Sequence, residues 1–273
     1  MLQFITWDVS PVAISFFGHD IRWYGLCWAL GFLVGYRLVL GRFRAEKLPD
    51  EWVDQLFIYT LLSSIIGARL GHCLFYEWDY YSAHPLKILA IWEGGLASHG
   101  GVYCLIVALI LYSRKVTKKS VWWLFDRMIP AIGIACAGIR LGNLMNSEIF
   151  GHATTLPWGF YFVRSREWQQ HYFGQACHPT QIYEMIYCII AAAAAWYLLT
   201  REEIRRRTGF ITGFCLIIFF GVRFALEFMK NPQVEQELSM TINIGQWLSV
   251  PLILLGLYLV ISAWRNPDIR RKF

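Results

Sequence analysis

The sequence predicts an all-α integral membrane protein: seven transmembrane helices, with a small external cap formed mainly by the linker between spans four and five. Three observations carry this. Of 273 residues, 56% are hydrophobic and only 16% charged, with a mean hydropathy of +0.41, which is too apolar for an ordinary soluble domain. Seven apolar runs separate the polar stretches. The basic residues then fall in clusters on alternate linkers, as they do when every second loop faces the cytoplasm.

The runs are Trp23–Leu40, Val53–Phe75, Gly101–Tyr112, Trp122–Ile139, Ile182–Leu199, Phe210–Phe228 and Ile244–Trp264. Most reach the length of a membrane helix. The third is short, and its missing turn is expected from the glycine-rich stretch before it, IWEGGLASHGG at 91–101. That extension carries His99 into the protein at shallow membrane depth, where irregular backbone is tolerated only if buried or lining a wet cavity. Thirteen Trp and 14 Tyr suit anchoring at two bilayer interfaces.

Basic clusters follow spans one (Arg42, Arg44, Lys47), three (Arg114, Lys115, Lys118, Lys119), five (Arg201, Arg205, Arg206, Arg207) and seven (Arg265, Arg270, Arg271, Lys272). The linkers Glu77–Lys87 and Lys230–Asn243 are poor in basic residues near their ends. This places the N-terminus outside and the C-terminus in the cytoplasm, which an odd number of spans requires. The net charge of +6 is spread through these clusters, so no nucleic-acid partner is expected.

Residues 1–273 read as a single membrane domain without repeats or low-complexity segments. Met1–Asp20 lacks the basic n-region of a cleavable signal, so the first span is expected to serve as the signal. Six of the seven cysteines lie in apolar runs and read as small buried hydrophobes. Cys177 stands alone in a long linker. No spacing suits a metal, and no cofactor is expected. The linker of about Arg140–Pro179, rich in Gly, aromatic and polar residues, is long enough to form the cap.

Several ionisable groups lie deep on the outward side. His99 sits between glycine pairs, Gly94–Gly95 and Gly100–Gly101, which permit sharp turns or close approach. Its imidazole titrates near neutrality and suits proton transfer, or it simply caps a helix entry. Arg69 and His72 share a helical face near the outer end of span two, as a snorkelling arginine and its neighbour would. Arg140 opens RLGNLMNSEIFG, where Asn143, Asn146, Glu148 and Gly151 follow quickly. The pattern reads as a polar pocket floor, with Glu148 available to hold an arginine. Arg223 lies well inside span six with Glu227 four residues on. They form a self-neutralising pair, a site for an anion, or both. HPTQIYE at 178–184 reads as a capped helix entry, and RWYG at 22–25 as part of an aromatic belt. Two outward-facing arginines near a histidine point to a phosphate-bearing lipid, since guanidinium forks match phosphate oxygens.

Six ordered motifs then carry a likeness over nearly the whole chain: RWYG at 22–25, GARLGHCLFYEW at 67–78, WEGGLASHGG at 92–101, RLGNLMNSEIFG at 140–151, HPTQIYE at 178–184 and RFALEFMKNP at 223–232. The chain resembles the bacterial prolipoprotein diacylglyceryl transferases. The resemblance implies an inner-membrane enzyme with a periplasmic cap. It would transfer the diacylglyceryl group of phosphatidylglycerol to the lipobox cysteine of a preprolipoprotein signal peptide. It further implies that His99 is the base and that Arg140 and Arg223 hold the lipid headgroup. Tyr24, Asn143 and Gly151 match the family's essential tyrosine, asparagine and glycine, and Glu148 and Glu227 the acidic residues tied to the arginines. Asn146 belongs to the same lipid-binding segment. Ile139 and Ser147 depart from the family pattern, each standing where many members have glycine.

The residues support this chemistry. A thiol with a pKa near 8.5 needs a base at neutral pH, and cations beside a departing phosphate stabilise the charge that grows there. Two other readings share the topology. A lipid or anion transporter would use the same arginines without chemistry, but such proteins tend to show repeats and broken helices in matching halves. A seven-span receptor would not need the arginines.

Overall fold

A computed structural model describes residues 4–16, 18–91, 94–95, 97–231, 240 and 242–265. Trp92, Glu93 and Leu96 of the glycine motif, Pro232, and the terminal cluster Arg270, Arg271 and Lys272 lie outside the described residues. So does the side chain of Ser98. The chain folds as two compact units. Among the described residues, one comprises 4–38 with 125–265 and the other 39–124.

Seven helices are long and apolar enough to cross a membrane: α1 (Trp23–Ala45), α2 (Asp50–Phe75), His99–Thr117, α5 (Val121–Met145), α7 (Thr180–Thr200), Phe210–Met229 and α10 (Ile244–Arg265). The third is the one that seemed short. Its α-helix, α4 (Ser98–Tyr112), begins at the glycine motif and gains a π-helical turn, Ser113–Thr117, at its far end. Short helices α3 (Trp78–Ala83), α6 (Arg166–His171) and α8 (Glu202–Arg205) lie between the spans, and the sixth span contains α9 (Phe210–Leu226).

The helical expectation holds with one addition. Four short strands occur: β1 (Ile5–Thr6), β2 (Val12–Phe16), β3 (His19–Arg22) and β4 (Phe160–Tyr161). β2 and β3 form a hairpin that runs straight into α1. β1 pairs in parallel with β4, Ile5 against Phe160 and Thr6 against Tyr161. These strands are too short for an alternating pattern to show in the sequence.

In the larger unit, small residues let helices touch. A Cβ on Gly31 would lie 3.1 Å from the Ala135 Cα, and one on Gly35 3.3 Å from the Ala131 Cβ, so α1 and α5 meet along a row spaced by four. Such stripes replace the hydrophobic drive that lipid cannot supply between helices. Gly213 and Gly256 do the same for α9 and α10. The segment after α5 has its own core of Phe150, Phe160, Phe162, Trp168 and Cys177 packed under Leu144. Trp7 Nε1 donates to the Leu144 carbonyl at 2.9 Å, which ties the N-terminal strand to that core. Cys177 is fully buried, and burial beside Glu167 pushes its thiol up to about 12. It is a packing residue there, in agreement with its lack of a disulfide.

The smaller unit is built on the crossing of α2 and α4. A Cβ on Gly71 would sit 2.7 Å from the Gly100 Cα, and one on Gly67 2.5 Å from the Gly100 carbonyl oxygen. The two glycine pairs around His99 thus do different work. Gly94 and Gly95 have φ of +91° and +69°, a left-handed turn. Gly100 and Gly101 are helical and exist to admit α2.

Candidate functional site

Arg69 is not a snorkelling side chain. It is 3% exposed. Its Nε donates to the Ile88 carbonyl (2.9 Å), one terminal nitrogen to Gly94 (2.5 Å) and Gly95 (3.3 Å), and the other to Lys87 (2.6 Å). The guanidinium also lies 5.0 Å over the Tyr81 ring. All three guanidinium nitrogens engage carbonyls of the 85–95 segment, four carbonyls in total, so it staples that segment to α2. His72 faces Glu77 at 3.5 Å and has Gly95 against its ring. His99 stands in the first turn of α4, exposed, with no hydrogen-bond partner among the described residues.

The larger unit carries the other candidates. Arg140, in the last turns of α5, sends Nε to Glu184 Oε2 at 2.7 Å and one terminal nitrogen to Asn143 Oδ1 at 3.2 Å. Asn143 donates in turn to Glu148 Oε1 at 2.7 Å, and Asn146 donates to the same oxygen at 3.3 Å. Arg140 keeps its second terminal nitrogen free of hydrogen bonds among the described residues. Glu148 therefore reaches Arg140 only through Asn143. The carboxylate that meets the arginine directly is Glu184, on the face of α7.

The pairing expected of Arg223 is also different. Glu227 lies 3.4 Å from Lys230 Nζ, and Arg223 has no carboxylate within ion-pair distance among the described residues. Arg223 remains half-buried. Cys136 and Tyr187 each feel the charges of Arg140, Arg223 and Glu184 together, which puts both arginines in one neighbourhood between α5, α7 and α9. Tyr24 joins it, near enough to feel Arg140 and Glu148. A Cβ on Gly142 would lie 2.7 Å from the Tyr24 ring, so that glycine makes room for the tyrosine beside Arg140.

The turn bearing Glu148 is strained. Ser147 has φ +54° and Ile149 +61°, conformations that cost an L residue about 1–2 kcal/mol, and a β-branched one most. The start of α7 holds the turn in place. Thr180 Oγ1 donates to the Ile149 carbonyl at 2.8 Å and Gln181 Nε2 to the Glu148 carbonyl at 2.7 Å. Gly151 is where three stretches of chain meet. Its N–H donates to His178 at 2.9 Å, it bridges to Lys230, and a Cβ would lie 2.8 Å from Thr180 Cγ2. HPTQIYE is thus more than a helix entry: three of its side chains build the site. The sequence left two site groups unassigned, Glu184 and Lys230. Lys230 sits 2.8 Å from Glu184 Oε1 and is 4% exposed. Neither announces itself in one sequence, because a glutamate near the start of a span and a lysine at a span end are ordinary there.

A buried chain of alternating charge beside an arginine with a free donor edge suits an anionic ligand. The comparisons agree. A family model described as prolipoprotein diacylglyceryl transferase matches residues 11–262. A Porphyromonas gingivalis protein named phosphatidylglycerol–prolipoprotein diacylglyceryl transferase is 48% identical over 272 residues, covering 97% of this chain and 96% of its own. Proteins of the same name from Bacteroides fragilis (40% identical, 99% of each chain) and Chloroherpeton thalassium (38%, 98% of each) are similar end to end. Nothing found supports the transporter reading. The chain, a multi-pass membrane protein of seven apolar helices, belongs to the prolipoprotein diacylglyceryl transferase family.

Proposed function

We propose that the chain transfers the diacylglyceryl group of phosphatidylglycerol to the lipobox cysteine thiol of preprolipoproteins, the first step of lipoprotein maturation. The observation that carries the reading is the pair of arginines sharing one neighbourhood, with Arg140 aimed by Glu184 and Asn143 while one terminal nitrogen stays free. The thiol sulfur attacks the glycerol carbon that bears the phosphate ester. The C–S bond forms as the C–O bond breaks, and glycerol phosphate leaves with the electron pair. His99 takes the thiol proton. Arg140 and Arg223 meet the charge that grows on the leaving phosphate, a contribution of about 3 kcal/mol per well-placed donor in a dry site. Tyr24, Asn143, Asn146, Glu148, Gly151 and Glu227 shape the headgroup site. The alternation of the basic clusters supports an inner-membrane enzyme with its N-terminus and the 140–179 cap in the periplasm, where exported cysteines meet lipid headgroups.

The test uses purified protein in detergent with phosphatidylglycerol and a lipobox peptide. Release of glycerol phosphate in step with a thioether-linked peptide is the expected result. Binding of the lipid without thioether under any condition sinks the reading.

A further inference from the structure

Arg140 is half of a longer chain. Glu227, Lys230, Glu184 and Arg140 alternate in sign at 3.4, 2.8 and 2.7 Å. Three of the four groups are almost without solvent: Glu184 is 0%, Lys230 4% and Glu227 6% exposed. A buried carboxylate with one cation would be left with an uncompensated oxygen. Glu184 has two cations at ion-pair distance, Lys230 Nζ 2.8 Å from Oε1 and Arg140 Nε 2.7 Å from Oε2. Lys230 is also fixed by its own backbone. It bridges to Gly151, and the neighbouring Met229 carbonyl accepts from the His152 N–H at 2.9 Å. One residue thus joins the end of the Arg223 helix to the turn that carries Glu148, and its ammonium joins both to Arg140.

We propose that Lys230 is a positioning residue for transfer: it locks Glu184, and Glu184 sets the angle at which Arg140 presents its free edge to the phosphate. This rests on the transferase reading above. Lys230 itself does not touch the lipid. Its loss would leave Arg140 charged and able to bind, but free to pivot, and misplacement of about 1 Å at a reacting centre costs on the order of 100-fold.

The experiment measures kcat and KM for phosphatidylglycerol in Lys230→Met, Glu184→Gln and the double variant. Each single variant is expected to lose roughly 10- to 100-fold in kcat, with KM moving much less. Because the two act in series, the double variant should be no slower than the slower single variant, within about twofold. A merely structural lysine would instead give losses that multiply. Where Lys230→Met does not fold, Lys230→Arg keeps the charge but shifts the contact, and its deficit must vanish in the Glu184→Gln background. Wild-type protein that transfers, beside a folded Lys230→Met within about twofold of it or losses that multiply, overturns the proposal. Wild-type protein that transfers nothing overturns the transferase reading instead.

Discussion

Two arginines near span ends, one in each unit, have opposite fates. Arg69 is surrounded by backbone carbonyls of Lys87, Ile88, Gly94 and Gly95 and by the Tyr81 ring. Arg140 is held by two side chains, Glu184 and Asn143. Carbonyls of an ordered segment are fixed partners, and here they engage every nitrogen of the guanidinium. Side chains hold it by one edge and leave the other open. Charge is alike in the two cases, and both residues stand near the end of a span, so position along the helix does not separate a staple from a ligand-binding group. The chemistry of the partners does.

That contrast can be broken or sharpened by substitution. The largest effect is expected at Arg140. Arg140→Ala should lower kcat by about 10²–10³-fold, as loss of a preorganised donor does, and Arg140→Lys should recover little because the fork is lost. Full turnover in Arg140→Ala would remove the headgroup role. Next comes His99→Gln, with a loss of about 10²-fold if the imidazole takes the thiol proton. Substantial turnover in that variant would leave His99 a binding group only. Arg69→Met belongs to another class. It should destabilise the smaller unit by about 3 kcal/mol, through carbonyls left unpaired, and appear as a lower midpoint of thermal unfolding in detergent. Turnover of the molecules that stay folded should change far less than in Arg140→Ala. Equal losses of kcat in the two would erase the distinction. The smallest effect, and the only gain, is expected at Ser147. Relief of its left-handed backbone in Ser147→Gly, less the added freedom of the unfolded chain, should raise stability by about 0.5–1 kcal/mol.

Ser147 also shows where the sequence speaks clearly and where it does not. The spans are legible because hydrophobicity over about 20 residues is a local property. The departure from glycine at Ser147 is legible as a difference, and the φ of +54° gives its physical meaning. The glycines around His99 are legible only as permission. That Gly94 and Gly95 turn the chain while Gly100 admits a helix depends on Gly67 and Gly71, about thirty residues earlier. Glu148 and Glu227 were expected at the arginines because they are near them in sequence. Glu184 is 44 residues from Arg140, inside a motif that reads only as a capped helix entry. Its role follows from α5 and α7 packing at Gly133, where a Cβ would lie 2.9 Å from the Ala192 Cβ. One helix read alone cannot show which helix lies against it.

The pairing of β1 with β4 has a consequence for biosynthesis. Ile5 finds its partner only at Phe160, and Trp7 finds the Leu144 carbonyl only when the fourth span has been made. At about 5–20 residues per second, the ribosome needs roughly 8–30 s to produce the intervening chain. Throughout that interval the leading segment lacks the strand that completes it. Its assembly is therefore timed by synthesis of the fourth span, and a pause in translation there would prolong the exposure of an unpaired edge.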